Sequence, residues 1–239
     1  MSPLIAAGVV SVDQTSGPAS QPVIVFLAVT ALSVLPFVVL LMTSFVKIAV
    51  VLSILKSAFG ASQIPPSQVI TGLALILTVY VMAPIGERMV HTLEPDLGNG
   101  ARVEVFSVKS LEVLASAATK AKEPLREFML RHASVKDRGM FHGIALRMRT
   151  PAERIGITDR DFLVLIPAFL ASELRRAFEI GFLIFIPFMV VDLVVANLLL
   201  ALGMNMLSPT TVSLPFKLLL FVLADGWQLL LRGLVESYV

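Results

Sequence analysis

Long stretches without a charged residue constrain the fold of this chain most strongly. Neither residues 22–46 nor residues 57–86 contain Asp, Glu, Lys or Arg, and the region from Phe162 to Val239 is again mostly apolar. A helix of about 20 apolar residues crosses the hydrocarbon core of a bilayer, which is roughly 30 Å thick. The sequence therefore predicts an all-α, integral membrane-type chain built from kinked helical hairpins.

The composition supports this class and excludes others. Hydrophobic residues make up 56% of the chain and charged residues 15%, whereas soluble domains average about 45–50% and about 25%. A net charge of +2 is too small and too dispersed for a nucleic-acid-binding face. Without cysteine the chain forms no disulfide and no thiolate metal site. The first basic residue is Lys47, so no cleavable signal peptide is expected.

The charged residues divide the chain into parts. Residues 87–161 hold 24 of the 36 charged residues and all three histidines, which indicates a water-facing insert with helices near 107–133 and 136–149. The sequence thus predicts a loose lead-in over 1–21, a first hydrophobic hairpin over 22–86, the charged insert over 87–161, and a second hydrophobic hairpin over 162–239.

Prolines and glycines predict the breaks within the hairpins. Proline lacks an N–H and clashes with the preceding turn, so Pro36 predicts a kink or two short helices. Pro84 and Gly86 predict the end of the helix that begins near Val69. In the second hairpin, Met204 to Pro215 predicts a break between a long helix over 162–203 and a final helix over 216–237.

A run of charges lies inside the second hairpin, where each charge needs a counter-charge or water. At 100° per residue, the charged residues of SELRRAFE share one arc of a helix, with Leu174 and Phe178 opposite. Either a solvated stripe or a contact stripe between subunits fits this pattern, and the apolar sequence on both sides favours the second. The residues concerned are Glu173, Arg175, Arg176 and Glu179.

Two more charges flank the predicted break. At 1.5 Å per helical residue, Asp192 and Lys217 lie roughly 18 and 12 Å from the turn. A lone desolvated charge is costly, so we expect them to pair within the hairpin or with a neighbouring copy. A proton or ion site at Asp192 is the alternative.

Signatures of catalysis are missing from the sequence. No P-loop, HExxH, GxSxG or GxGxxG motif is present. His91, His132 and His142 lack the spacing of metal ligands and are expected at the surface. We therefore expect no enzymatic activity, no cofactor and no metal.

The C-terminal third resembles a known family. The residues that carry the resemblance are IPAFLASELRRAFEIGFLIFIPFMVVDLVVANLLLALGMNMLSP and LPFKLLLFVLADGWQLL, supported earlier by LPFVVLLMTSFVKIAVVLSILKSAFG and QIPPSQVITGLALILT. They are similar to the FliP/SctR family, the export-gate membrane proteins of flagella and type III secretion injectisomes. The similarity spans roughly residues 23–238.

This resemblance implies a pore-forming subunit through which secreted, unfolded proteins cross the bacterial inner membrane. It implies several copies, five being expected, in a cone-shaped helical assembly with FliQ/SctS-type and FliR/SctT-type subunits, above an FlhB/SctU-type switch protein. Much of the chain, including the charged insert, is expected in the periplasmic space. The apparent lack of a signal peptide favours the injectisome branch.

The resemblance also implies roles for particular residues. The family's methionine-rich loop corresponds to Gly203-Met204-Asn205-Met206, whose methionines form a gasket that closes the pore; many relatives carry methionine in place of Asn205. Glu173 matches the acid of the family's SEL motif, and Asp192 and Lys217 match its intersubunit acid and base. A hairpin tip packed against a neighbour is the plainer interpretation of the methionines, and a proton- or ion-coupled transporter is the alternative function.

Overall fold

A computed structural model of the protein describes residues 36–60, 65–97, 122–154, 156–204 and 206–239, together with residues 26, 30, 33 and 34. It divides into two compact units, Met1–Val39 and Leu40–Val239. In the first unit, the described residues have helical backbone, and the Thr30 hydroxyl donates to the Phe26 carbonyl at 2.8 Å. The predicted lead-in over 1–21 and much of the segment around Pro36 lie outside the described residues.

Helices make up most of the second unit, and its described residues include no strand, as the sequence predicts. Its helices are α1 (Phe45–Phe59), α2 (Ser67–Leu97), α3 (Val135–Arg147), α4 (Phe162–Ala201), α5 (Pro209–Leu223) and α6 (Gly226–Glu236). A helical stretch over residues 122–132 precedes α3, and a 3-10 turn, Pro151–Arg154, follows it. Of the two helices predicted in the insert, the second is α3, and the first is described only from residue 122.

Helix α1 lies at the centre of this unit and packs against α4 and α2. Its buried side chains recur at helical spacing: Ile48, Val51, Leu52 and Leu55 have no exposed surface, and such a spacing places them on one face. The helix ends at Gly60, whose φ of 77° lies in the left-handed region, where a glycine ends a helix without a Cβ penalty.

Two helices of the described residues reach membrane-spanning length, while most of the first predicted apolar segment, 22–46, lies outside the described residues. Among the described residues, Ser67–Thr92 and Phe162–Ala201 are long and apolar enough to cross a bilayer, with mean hydropathies of 2.1 and 2.5. The pair α5 and α6 qualifies as a third span only if it counts as one segment, because it bends by 61°. At 40 residues, α4 is about 60 Å long, roughly twice the hydrocarbon thickness.

Two predicted helix ends are wrong. Helix α2 does not stop at Pro84 and Gly86 but continues to Leu97, because Val81 and Ile85 stay buried against the core on either side of the proline. The final helix begins at Pro209 rather than at residue 216, since proline is favoured in the first turn, where its missing N–H is not needed.

The predicted final helix also has a break. Asp225 has φ 49° and ψ 40°, in the left-handed region, and separates α5 from α6. The chain packs tightly at this bend: a Cβ added to Gly226 would lie 2.3 Å from the ring of Phe221. A bulkier residue at position 226 would displace that ring.

Candidate functional site

The turn between α4 and α5 is fixed by its backbone. The Gly203 N–H donates to the Leu200 carbonyl at 3.0 Å, and the Met204 N–H donates to the Leu199 carbonyl at 2.9 Å. With Gly203 at φ 72°, these bonds form a Schellman motif, which satisfies the free carbonyls at a helix end. The turn therefore needs nothing from the methionine side chains to hold its shape.

Those side chains are free of the chain's own core. Met206 is 99% exposed and Met204 is 47% exposed, whereas methionine in an isolated protein usually fills gaps in a core. Asn205, the third residue predicted for the gasket, lies outside the described residues. A tight turn that presents two unbranched apolar side chains is thus available to a neighbouring molecule.

Asp192 and Lys217 are in contact within one chain. The Lys217 ammonium donates to the Asp192 carboxylate at 2.6 Å and to the Ala58 carbonyl, at the end of α1, at 2.9 Å. The Ser213 hydroxyl donates to the other carboxylate oxygen. Lys217 is fully buried, whereas the Asp192 side chain is 38% exposed. The pair therefore ties α4 and α5 to the C-terminal end of α1, and Asp192 still has a face toward the outside.

A second charged cluster surrounds Glu173, which has no exposed surface. The Lys47 ammonium lies 3.5 Å from one carboxylate oxygen, and the Arg176 guanidinium lies 3.2 Å from the other. The Tyr238 hydroxyl also donates to Glu173, while its ring lies under the Lys47 ammonium, 3.5 Å from the centroid. Such a buried carboxylate is tolerated because each of its oxygens is paired.

His132 is buried beside this cluster rather than at the surface, where the sequence analysis placed it. Its ring packs against Tyr238 and Phe128, with centroids 5.0 and 4.7 Å apart. Burial, reinforced by the charges of Lys47, Arg176 and Arg131, lowers the pKa of His132 to about 4. The ring is therefore neutral at physiological pH. Its burial depends on Tyr238, which is distant in the chain, as well as on Phe128 one helical turn away, so periodicity along the sequence could not predict it.

The third cluster joins the insert to α4. The buried Asp137 accepts from Arg175 at 2.6 Å and from the Ser172 and Ser134 hydroxyls at 2.7 and 2.8 Å. Burial raises the pKa of Asp137, but the hydrogen bonds from Ser172, Ser134 and Arg175 outweigh it and leave the pKa below its usual value. The insert is thus anchored to the second hairpin through a charged hydrogen-bond network.

These contacts place the charged residues of the predicted stripe on α4 in different clusters. Glu173 and Arg176 are in contact, as their spacing predicts, but Arg175 turns away from Glu179 to Asp137. Glu179 is exposed. Sequence reasoning assigned no partner to Lys47, and it missed Asp137, Ser213 and Tyr238. Only the intrusion of Lys47 into an apolar segment could have signalled the cluster around Glu173.

Apolar side chains occupy the outward face of the same helix. Phe178 and Phe182 are 60% and 64% exposed, and apolar residues remain exposed on α4 as far as Leu200. Helix α5 continues the surface with Phe216 and Leu219. Exposed apolar patches of this extent mark contact with lipid or with other subunits.

Buried charges and outward apolar faces define the class of this protein: an all-helical, membrane-type chain that buries charged clusters around Glu173 and Lys217 between its helices. The chain belongs to the FliP family, whose model matches residues 28–234.

The curated relatives come from flagellar and secretion systems alike. The chain is 41% identical over 220 residues to "Flagellar biosynthetic protein FliP" of Bacillus subtilis, covering 92% of this chain and 93% of the relative. It is 44% identical over 215 residues to "Yop proteins translocation protein R" of Yersinia pestis, covering 89% and 94%. It is 40% identical over 208 residues to "Hypersensitivity response secretion protein HrcR" of Ralstonia nicotianae, covering 87% and 93%. These overlapping identities do not separate a flagellar from an injectisome branch.

Proposed function

We propose that this chain is a pore-forming core subunit of a type III protein export gate, with Met204 and Met206 closing the channel. Secreted, unfolded proteins would pass through the pore on their way across the bacterial inner membrane. The observation that carries this proposal is the Met turn: Met206 is 99% exposed on a turn whose shape depends on backbone hydrogen bonds.

A ring of such turns can close the pore and still open for a passing polypeptide. Methionine is unbranched and its thioether adapts to irregular gaps, so side chains from several copies can fill a pore and still move aside for a passing chain. Five copies are expected, assembled with FliQ/SctS-type and FliR/SctT-type subunits above an FlhB/SctU-type switch protein. Much of the chain would then lie on the periplasmic side, with the apolar faces of α4 and α5 covered by neighbouring subunits or lipid.

Disulfide crosslinking tests the convergence of the turns directly. The chain has no cysteine, so M206C introduces one thiol into each copy of the chain. If the turns meet around one axis, mild oxidation links M206C copies into covalent dimers. The matched variant M148C places a thiol at a methionine that is 81% exposed on the charged insert, and we expect little crosslinking there. Equal yields from the two variants would contradict the proposed ring.

The variant D192N separates the gate from a coupled transporter. Asn cannot carry a proton or neutralise Lys217, but it preserves the shape of the contact with Ser213. A gate subunit should lose part of its assembly, because Lys217 is left as a buried charge without its counter-charge. A complex that assembles fully as D192N but loses proton-dependent transport would favour the transporter instead. Size-exclusion chromatography of the detergent-purified complex measures the assembly.

A further inference from the structure

A cavity of about 580 Å³ separates α2 from the helical stretch 122–132 and the end of α6. Its inner wall is apolar and includes Val81, Ile85, Phe128 and Val235. The charged side chains that line it are Arg88, Arg131 and Glu127. The cavity therefore combines an apolar wall with two cations and one acid.

His132 lines the same cavity and supplies an unusual polar group. Only 7% of the residue's surface is exposed, and its neighbours are the rings of Phe128 and Tyr238. No described residue forms a hydrogen bond with its ring nitrogens. Buried polar groups normally have a hydrogen-bond partner, and a ligand in the cavity could supply one to the imidazole.

The two arginines are also available for a ligand. The Nε of Arg88 donates to the Pro84 carbonyl at 3.3 Å, and no described residue accepts a hydrogen bond from its terminal N–H groups. Neither Arg88 nor Arg131 forms an ion pair with a carboxylate of the described residues. Guanidinium groups bind phosphate oxygens in a bidentate manner, and a neutral imidazole adds one N–H donor.

The position of the cavity favours a lipid headgroup over a free phosphate as its ligand. Arg88 lies near the end of the apolar span Ser67–Thr92, and cationic side chains at the ends of membrane helices lie where lipid headgroups are found. A single phosphate would use the arginines but not the apolar wall. We propose that this cavity binds an anionic phospholipid, with its phosphate between Arg88, Arg131 and His132 and the start of an acyl chain against the apolar wall.

Binding of short-chain lipids to the full chain in an uncharged detergent tests this site. The probes are dioctanoyl phosphatidylglycerol, dioctanoyl phosphatidylcholine and glycerol phosphate, measured by calorimetry. We expect phosphatidylglycerol to bind about tenfold or more tightly than either of the others. Equal binding of the two lipids would contradict charge recognition, and equal binding of glycerol phosphate would contradict a role for the acyl chain.

Matched variants assign the binding to the cavity. R88Q/R131Q should weaken phosphatidylglycerol binding about tenfold or more, because hydrogen bonds to a charged group are lost. R147Q/R149Q removes the same charge from the insert, away from the cavity, and should leave binding unchanged. Equal losses from the two pairs would overturn the assignment.

Two substitutions of His132 test whether its ring N–H contributes to lipid binding. H132F keeps a ring against Phe128 and Tyr238 but has no N–H, so it should weaken binding, whereas H132Q keeps a donor and should retain more of it. Circular dichroism confirms that each variant keeps its helical content. Unchanged binding in a folded H132F would remove the imidazole from the site.

Discussion

At the residue scale, the chain depends on carboxylates that are buried and fully paired. Glu173 forms ion pairs with Lys47 and Arg176 and accepts a hydrogen bond from Tyr238. Asp137 forms an ion pair with Arg175 and accepts hydrogen bonds from two serine hydroxyls. Removing one partner of such a group leaves an uncompensated buried charge. The loss of any single donor around Glu173 should therefore lower the free energy of unfolding.

Y238F isolates one of these donors. The variant removes the hydroxyl that donates to Glu173 and keeps the ring beneath Lys47. We expect it to lower the free energy of unfolding by about 1–3 kcal/mol, the cost of an unsatisfied buried acceptor. Y80F is the matched control, because Tyr80 is 68% exposed. Thermal unfolding in detergent measures both, and similar midpoints for the two variants would contradict the role of the hydroxyl.

His132 should make stability depend on pH. Its pKa of about 4 in the folded chain is below the value of roughly 6.5 for an unfolded histidine. Between these values the unfolded chain binds the extra proton, so the stabilisation is complete above about pH 6.5 and is lost as the pH falls toward 4. Unfolding midpoints across this range should fall in the wild type and in H142Q, but less steeply in H132Q. A slope unchanged by H132Q would assign the loss to other groups.

At the element scale, the close contact of α1 with α4 holds the core together. A Cβ added to Gly181 would lie 2.3 Å from the Cδ1 of Ile54 and 3.0 Å from its Cγ2. The two helices can approach this closely only because position 181 has no side chain. The contact places Glu173, two turns earlier in α4, against Lys47 of α1.

The variants G181A and G86A should have opposite effects. G181A forces Ile54 out of its position and should destabilise the chain by about 1–3 kcal/mol through overpacking. Gly86 lies inside α2 with nothing within 4 Å of the added methyl group, so G86A should stabilise it by roughly 0.5–1 kcal/mol. Unfolding midpoints compare them, and a neutral G181A would show that the helices have room to separate.

The sequence predicted the helices better than their ends. Apolar runs predicted α2, α4 and α5, because burial and membrane insertion both select long uncharged helices. Helix α1 lies mostly between the uncharged runs 22–46 and 57–86 and was not predicted as a separate helix. The ends of the helices depend on local backbone preferences and on distant packing together. Helix α2 continues past Pro84 because core contacts outweigh one lost hydrogen bond. Asp225 ends α5 because its backbone is left-handed, which its residue type does not require.

The same limit applies to the candidate site. The contact of Asp192 with Lys217 followed from their distances to one turn, and that of Glu173 with Arg176 followed from helical spacing. The remaining partners, Lys47, Tyr238 and Asp137, come from elements far apart in sequence. Their positions depend on tertiary packing, so periodicity within α4 could not identify them.

At the scale of the whole molecule, the second unit buries several charged groups within its apolar core and exposes large apolar side chains. Lys47, Glu173 and Lys217 are almost fully buried, whereas Phe182 and Met206 are largely exposed. A water-soluble monomer would gain nothing from this arrangement. It suits a subunit whose outer faces meet lipid or other subunits and whose charges hold its own helices together, as expected for a FliP-family member in an export gate.

Ion flux through the assembled complex tests the central proposal most directly. M204A/M206A shortens both side chains of the turn but leaves its Schellman hydrogen bonds, which involve only the backbone. We expect the variant complex to assemble normally and, once reconstituted into liposomes, to conduct ions well above the wild type, whereas M148A should conduct no more than the wild type. A fully assembled M204A/M206A complex with unchanged conductance would contradict the methionine seal.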